Sequence, residues 1–193
     1  QDASSQKIGE LLDVQEGMRV VDACAGAGGK TLHLAALMKN KGQIIALDIY
    51  EWKLTELKRR AKRAGAHNIE TRLISDNKVI KRLHEKADRL LIDAPCSGLG
   101  VLKRNPDSKW KIDQAFIDRI KGEQQQILQD YSKILKKGGQ MIYATCSILP
   151  SENNEQVKLF LSNNPDFTLV KDQKIMPSEG YDGFYMALIK RNA

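Results

Sequence analysis

Seven short apolar segments alternate with longer segments of helical periodicity, and this alternation restricts the fold more than any other feature. The predicted strands are residues 18–24, 43–48, 69–75, 89–94, 141–145, 167–170 and 184–189. Parallel strands need long crossover connections, which are usually helices. The first five strands therefore predict a mostly parallel sheet with helices on both faces. The last two have no predicted helix between them, and we expect them to pair antiparallel.

Four segments carry apolar residues at helical spacing. The first covers residues 30–38, and the second carries Leu54, Leu57, Ala61 and Ala64 on one face and ends at Gly65. The third covers residues 112–137 and is followed by Gly138 and Gly139, and the fourth covers residues 151–163. Residues 95–111 form the longest stretch without clear periodicity, and long loops in compact domains are often functional. A chain of 193 residues fits one such domain, so we predict a single domain over residues 1–193.

The composition, 41% hydrophobic and 28% charged, is that of an ordinary globular protein. No apolar run approaches the ~18 residues of a membrane span, and the polar first residues do not resemble a signal peptide. We therefore expect a cytoplasmic protein that does not bind a membrane. The chain opens without an initiator methionine, which suggests a piece of a longer protein.

The excess of 31 Lys and Arg over 24 Asp and Glu gives a net charge of +7, which suits a polyanionic partner. One basic cluster lies on the helix that follows the second strand, at residues 53–63. A second lies in the aperiodic loop, and its candidate RNA contacts are Lys103, Arg104, Lys109 and Trp110. Either cluster can equally be a solvated surface, and Trp110 can equally anchor its loop.

Glycines and acids follow the predicted strands at the edge of the sheet where ligands bind in such folds. The first strand runs into a flexible turn, whose candidate cofactor-binding residues are Cys24, Ala25, Gly26, Ala27, Gly28, Gly29 and Lys30. Glycines let the backbone approach a ligand closely. Asp48 ends the second strand, where it can accept hydrogen bonds from a ribose diol. Asp76 follows the third strand, within reach of an adenine edge, and Asp93 ends the fourth.

The glycine-rich turn matches neither of the two common phosphate-binding patterns. The spacing of a P-loop is not met, and Thr31 stands where a dinucleotide fingerprint requires glycine. S-adenosylmethionine has no phosphate and carries a sulfonium and an ammonium group, which suit an acidic rim. The turn therefore favours S-adenosylmethionine, although a tight turn without a ligand stays possible on this pattern alone.

Cys96 and Cys146 each follow a predicted strand at this same edge, and each precedes a serine. Carbon 5 of cytosine is a poor nucleophile, and a thiolate that adds to carbon 6 makes carbon 5 enamine-like. This chemistry needs a nucleophilic cysteine, a proton-handling group and stabilisation of the ring charge. Lys30 would favour a thiolate, and Asp93 would favour the adduct by hydrogen bonding to the base. The cysteines and histidines show no metal-ligand spacing, so we expect no metal, and an odd count of three cysteines makes a disulfide framework unexpected.

These segments together resemble the Fmu/Sun family of RNA cytosine-5 methyltransferases over nearly the whole chain. The similar segments are residues 1–5 (QDASS), 22–31 (DACAGAGGKT), 93–98 (DAPCSG), 104–110 (RNPDSKW), 145–147 (TCS) and 182–185 (DGFY). The resemblance implies a Rossmann-like S-adenosylmethionine-dependent methyltransferase fold, with a seven-stranded, mostly parallel sheet and an antiparallel C-terminal strand. Where the family usually has proline in the cofactor loop, this chain has Ala27, and we expect only a more flexible loop.

The resemblance implies that Cys146 is the nucleophile and that Cys96 assists product release. Asp93 and Lys30 would shape the site around the base. DNA cytosine-5 enzymes instead place the nucleophile in the Pro-Cys motif, which here holds Cys96. The implied substrate is RNA, with ribosomal RNA ahead of transfer RNA. Family members commonly carry an N-terminal RNA-binding region, which we expect this chain to lack, and we expect a monomer. The alternatives are a methyltransferase for another substrate and a non-catalytic ribosome assembly factor.

Overall fold

The computed structural model describes residues 2–193, so Gln1 of the predicted N-terminal motif lies outside the described residues. The helices are α1 (Ala3–Leu12), α2 (Gly29–Leu37), α3 (Glu51–Arg63), α4 (Asn77–Lys81), α5 (Gln114–Tyr131) and α6 (Asn154–Asn163). The strands are β1 (Arg19–Asp22), β2 (Gln43–Asp48), β3 (Ile69–Leu73), β4 (Ala87–Asp93), β5 (Leu135–Thr145), β6 (Phe167–Ile175) and β7 (Phe184–Arg191). Short 3-10 turns connect several of them.

The strands form one seven-stranded sheet in the order β3-β2-β1-β4-β5-β7-β6. The first five strands are parallel, and β7 pairs antiparallel with both β5 and β6. The predicted α/β architecture is therefore confirmed. The chain order reverses between β1 and β4, and a crevice beyond the carboxyl ends of two such strands is where open α/β sheets bind ligands.

Alternate residues of the central strands pack on opposite faces of the sheet. Val21, Leu90 and Tyr143 belong to one buried cluster, which α4, α5 and α6 cover. Their neighbours Val20 and Leu91 belong to the other, which α1 and α2 cover, and α3 packs on the same side against β2. Burial on both faces explains why these strands read as continuous apolar runs.

The boundary between α5 and β5 differs from the prediction. The helix predicted over residues 112–137 ends at Tyr131, and a 3-10 turn leads directly into β5 at Leu135. Leu135 has an extended backbone and pairs with Ala87 of β4. Pairing within the sheet therefore overrides the helical pattern, and Gly138, the predicted helix stop, lies inside the strand.

Further elements differ in extent or were not predicted, among them the short helix α4. Strand β6 continues past the predicted residue 170, because Lys171–Ile175 pair with β7 in spite of their polar side chains. Helix α1 buries Ile8 and Leu12 and receives an N-terminal cap from Asp2. The helix predicted from Ser151 starts at Asn154, and a 3-10 turn takes the preceding residues. That turn places Glu152 in the interior.

Within residues 2–193, none of the helices combines the length and the apolar character needed to cross a membrane.

Candidate active site

The carboxyl ends of β1, β2 and β4 surround a cleft of about 520 Å³. Cys24, Asp48 and Asp93 line it from the sheet side, and Ile120 and Tyr131 line it from α5. An adjoining cavity of about 450 Å³ reaches along the glycine-rich turn. The two cavities share Cys24, Gly26 and Asp93, so most of the predicted cofactor residues surround one continuous region.

The glycine-rich turn requires glycine at two positions. Gly26 and Gly28 have φ angles of +54° and +86°, in the left-handed region that favours glycine. A Cβ on Gly28 would also lie 2.6 Å from Cγ of Leu57, on α3. The Gly26 amide donates a hydrogen bond to Asp48 Oδ2 at 2.9 Å. The turn is thus held against β2 and α3, with its backbone facing the cleft.

Asp22 is a buried carboxyl at the base of this turn that the sequence interpretation did not assign to the site. Its Oδ2 accepts a hydrogen bond from Thr31 Oγ1 at 2.7 Å. Its Oδ1 is buried and has no hydrogen-bond partner of good geometry among the described residues, although the Cys24 amide lies close enough to favour the carboxylate. The residue lines the cavity beside the turn. Burial raises the pKa of Asp22 to about 7, against the opposing hydrogen bond from Thr31. A carboxyl in this position can accept a hydrogen bond from a cationic group of a ligand.

Asp76 lines neither of the two cavities, in contrast to most of the other predicted cofactor residues. Its side chain caps α4 by accepting a hydrogen bond from the Lys78 amide at 2.8 Å. Ile74, two residues earlier, lines the cleft instead. A contact between Asp76 and an adenine therefore stays a prediction, whereas its capping role is visible.

Cys96 and Cys146 face each other with their Sγ atoms 3.2 Å apart. The hydrogen bond from the Cys96 thiol lowers the pKa of Cys146, in opposition to burial. The same hydrogen bond, together with burial, holds the pKa of Cys96 well above its usual range. The contact therefore makes Cys146 the more acidic thiol of the pair.

Lys30 and Asp93 form an ion pair beside the two cysteines, with Nζ and Oδ2 2.6 Å apart. Burial acts to lower the pKa of Lys30, but the charge of Asp93 and its hydrogen bond outweigh burial, so that the pKa is raised. On the pKa of Cys146 the two charges oppose each other, since Asp93 raises it and Lys30 lowers it. The sequence interpretation named these four residues, and the structure brings them together.

The four candidate RNA contacts lie on the exposed loop that precedes α5. Trp110 has an exposed fraction of 80%, and Lys109 Nζ lies 4.8 Å from the centre of its ring. Lys103 is exposed. Arg104 pairs with the buried Asp182, so at least part of its role is to hold the loop.

Among residues 2–193, no group of three or more His, Cys, Asp or Glu side chains is arranged to hold a metal ion.

A third buried carboxyl, Glu152, lies behind the two cysteine loops. The sequence interpretation placed it at the start of a helix. The only available signal was an acid two residues beyond a proline, which also fits an exposed helix cap.

The thiol pair gives a direct prediction for the variant Cys96→Ala. Loss of the hydrogen bond from Cys96 should raise the pKa of Cys146, so that less thiolate is present at neutral pH. We expect iodoacetamide to alkylate Cys146 several-fold more slowly at pH 7, with the rate recovering as the pH rises. Alkylation rates across pH 6–10, followed by peptide mass spectrometry, measure this. An unchanged pH profile would show that the contact does not tune Cys146.

Comparison with known proteins identifies the family of this chain. A family model described as 16S rRNA methyltransferase RsmB/F matches residues 9–190. The ribosomal RNA small subunit methyltransferase B of Yersinia enterocolitica is 39% identical over 202 aligned residues, which cover 99% of this chain and 46% of that protein. The Proteus mirabilis protein of the same name is 37% identical and covers 99% of this chain and 45% of its own length.

Among solved structures, NSun6 from Pyrococcus horikoshii with SFG superposes with a TM-score of 0.89 at 29% identity. The superposition covers 100% of this chain and 53% of that one. The chain thus spans less than half the length of the curated relatives and about half of this structural neighbour.

Proposed function

The chain belongs to the RsmB/F family of 16S rRNA methyltransferases, the Fmu/Sun family of the sequence analysis, and on that premise we propose that it methylates carbon 5 of cytosine in RNA. The observation that carries this proposal is the contact between Cys96 and Cys146, which lies beside the Lys30–Asp93 ion pair at the edge of the cleft. Methyl transfer to an oxygen or an exocyclic nitrogen would need no such thiol pair.

The cleft suits S-adenosylmethionine as the methyl donor. The unpaired Oδ1 of Asp22 can accept a hydrogen bond from its ammonium group. Asp48 already accepts bonds from the amides of Gly26 and Tyr50, and a carboxylate has lone pairs left for a ribose diol. Gly28 has a positive φ, and no atom lies within 4 Å of the place of a Cβ on Gly29. The backbone of the turn can therefore approach a bound ligand closely. When bound, S-adenosylmethionine supplies a methyl group that is activated by its sulfonium charge.

The residues of the chain can then activate and release the base. The Cys146 thiolate adds to carbon 6, which breaks the π bond between carbons 5 and 6 and makes carbon 5 nucleophilic. Asp93, held by Lys30, accepts a hydrogen bond from the exocyclic amine. Once carbon 5 is methylated, its proton passes to a solvent water, the C5–H electrons restore the double bond between carbons 5 and 6, and the S–C6 bond breaks with its electron pair going to the Cys146 thiolate. We assign Cys96 to this release, because its thiol can donate a hydrogen bond to the departing thiolate.

Ribosomal RNA is the proposed substrate, with transfer RNA as the alternative. The names of the curated relatives refer to small-subunit ribosomal RNA, and the net charge of +7 suits a polyanion. The exposed Trp110 beside Lys109 offers a surface on which a base can stack. The target cytosine would be single-stranded or flipped out of a helix, because carbon 6 is otherwise covered by stacking. A monomeric state and a cytoplasmic location stay predictions.

A denaturing gel tests the proposal. The wild-type chain, Cys96→Ala and Cys146→Ala are each incubated with S-adenosylmethionine and unmodified 16S rRNA. We expect a slow-migrating protein–RNA adduct in Cys96→Ala, because the intermediate forms and cannot resolve, and none in Cys146→Ala. The reverse pattern would exchange the two roles. No adduct in any lane, with S-adenosylmethionine and RNA both shown to bind, would reject cytosine-5 chemistry and favour an assembly factor.

The buried Asp22 predicts that cofactor affinity depends on pH. The pKa of Asp22 is raised to about 7. Its protonated form therefore stabilises the fold of the free protein at low pH, and this stabilisation is lost as the pH rises through 7. A bound ammonium group offsets the loss, because it favours the charged carboxylate. We expect sinefungin, an analogue with the same ammonium group, to bind about tenfold more tightly at pH 7.5 than at pH 5.5. Calorimetric titration at both pH values measures the difference.

The matched variant for that titration is Asp22→Asn. Its amide oxygen can still accept the hydrogen bond from Thr31, but the side chain no longer titrates. We expect weaker binding with a flat pH profile. A tenfold pH dependence that persists in Asp22→Asn would assign the effect to another group.

A further inference from the structure

Glu152 joins the two loops that carry Cys96 and Cys146. Its side chain is fully buried, and its two oxygens accept four hydrogen bonds. Oε2 accepts from the Ser97 amide at 2.7 Å and from Gln124 Nε2 at 3.1 Å. Oε1 accepts from the hydroxyls of Ser97 and Ser147, each at 2.5 Å. Each serine directly follows one of the two cysteines in the chain.

No ion pair neutralises Glu152 within the part of the chain that the structure describes, residues 2–193. Burial of a carboxylate is costly, and hydrogen-bond donors must compensate for it. An apolar side chain of similar volume would close the same space without that cost. The donors that compensate here come from both cysteine loops and from α5, so the position of each loop depends on the same two oxygens.

The backbone around Glu152 is also fixed. Its carbonyl accepts a hydrogen bond from the hydroxyl of Tyr143 at 2.7 Å. The next residue, Asn153, donates to the Ser147 carbonyl at 2.9 Å and accepts from Thr145 Oγ1 at 2.5 Å. On the other loop, Gln124 donates to the Pro95 carbonyl at 2.9 Å. The carboxylate is therefore anchored on both sides and has little freedom to follow a displaced loop.

We propose that Glu152 is a positioning residue that sets the distance between Cys96 and Cys146. It positions the cysteines through Ser97 and Ser147. Its charge also raises the pKa of Cys96, an effect that Ser147→Ala leaves in place while removing one positioning contact. The thiol–thiol hydrogen bond gives the two cysteines different pKa values. A carboxylate that fixes the two serines therefore also fixes the difference between those pKa values. The kinetic consequence rests on the proposed function, whereas the consequence for thiol reactivity does not.

The variant Glu152→Gln tests this role at nearly constant volume. The glutamine oxygen can keep the Ser97 amide and Gln124 as donors, but an amide nitrogen in the place of Oε1 only donates. Both serine hydroxyls must then turn to accept from it, and their protons lose the acceptor that Oε1 provides. We expect the two loops to shift, and the pH midpoint for alkylation of Cys146 to rise. We expect kcat for methyl transfer to fall by about tenfold or more, with an unchanged KM for S-adenosylmethionine.

The control is Glu155→Gln, which removes an exposed carboxylate from the first turn of α6 and should change neither quantity. A folded Glu152→Gln that keeps the wild-type pH midpoint and kcat would overturn the proposal. If Glu152→Gln does not fold, Ser147→Ala decides, since it removes one donor and leaves the carboxylate in place. We expect a smaller shift in the same direction, and no shift would overturn the proposal.

The two readouts separate this inference from the proposed function. If the wild-type chain transfers no methyl group but alkylation shifts as expected, the positioning role holds and the proposed chemistry fails. If methyl transfer occurs and neither readout responds to Glu152→Gln, the chemistry holds and the positioning role fails.

Discussion

Replacement of Cys146 by serine is expected to abolish methyl transfer while the chain stays folded. Serine is nearly isosteric with cysteine, but its hydroxyl is a far weaker acid. The hydrogen bond from Cys96 lowers the pKa of the Cys146 thiol, and a hydrogen bond of this kind cannot ionise an alcohol at neutral pH. We expect kcat to fall by at least about 10⁴-fold. Transfer of radiolabelled methyl groups from S-adenosylmethionine to 16S rRNA under single-turnover conditions measures the loss.

Two further measurements decide how that loss is interpreted. The melting temperature and the affinity for sinefungin should match the wild type, since Cys146 lies outside the residues that line the two cofactor cavities. Cys146→Ser that keeps more than a tenth of the wild-type rate would refute the assignment of the nucleophile. The same measurement on Cys96→Ser would then identify which thiol attacks.

The sheet and most of the site residues are predictable from local patterns. Strands buried on both faces leave continuous apolar runs in the sequence, and parallel strands bring their carboxyl ends to one edge. Asp48, Asp93 and Cys96 each lie at or just after such an end. Their proximity therefore follows from strand order alone.

The features that the sequence did not predict depend on contacts between distant segments. Leu135 belongs to β5 because it pairs with Ala87, although its local pattern is helical. Glu152 is buried because Ser97, on a loop 55 residues earlier in the chain, supplies donors together with Ser147 of its own connection. A residue that satisfies partners far away in the chain leaves no periodic signal around itself.

Asp22 shows the same limit within a motif that was recognised. The sequence places an acid in β1, and the pattern alone does not indicate which of its oxygens has a partner. The structure pairs Oδ2 with Thr31 and leaves Oδ1 without one among residues 2–193. The unpaired oxygen is the feature that makes Asp22 a ligand-binding candidate as well as a structural residue.

Substitution of Gly100 by alanine is expected to damage both stability and catalysis. The Gly100 amide donates a hydrogen bond to the Cys146 carbonyl at 2.9 Å, and its own carbonyl accepts from the Gly183 amide at 2.8 Å. A Cβ on Gly100 would lie 2.1 Å from the Gly183 carbonyl oxygen and 2.7 Å from that of Cys146. Both obstacles are backbone atoms, so three loops must separate.

We expect Gly100→Ala to lower the free energy of unfolding by about 3 kcal/mol, at the upper end of typical overpacking costs. Movement of the Cys146 backbone should also reduce kcat by about 100-fold. Urea denaturation and the methyl-transfer assay measure the two effects, and the assay is run well below the unfolding transition so that loss of folded protein does not contribute.

Gly122→Ala is the matched control, because Gly122 is exposed on α5 and no atom lies within 4 Å of an added Cβ. Alanine is the better helix former by about 1 kcal/mol, so this variant should be more stable than the wild type and equally active. Gly100→Ala with wild-type activity would show that the Gly100 and Gly183 loops can relax without moving Cys146. The close approach of the three loops would then stabilise the fold without positioning the nucleophile.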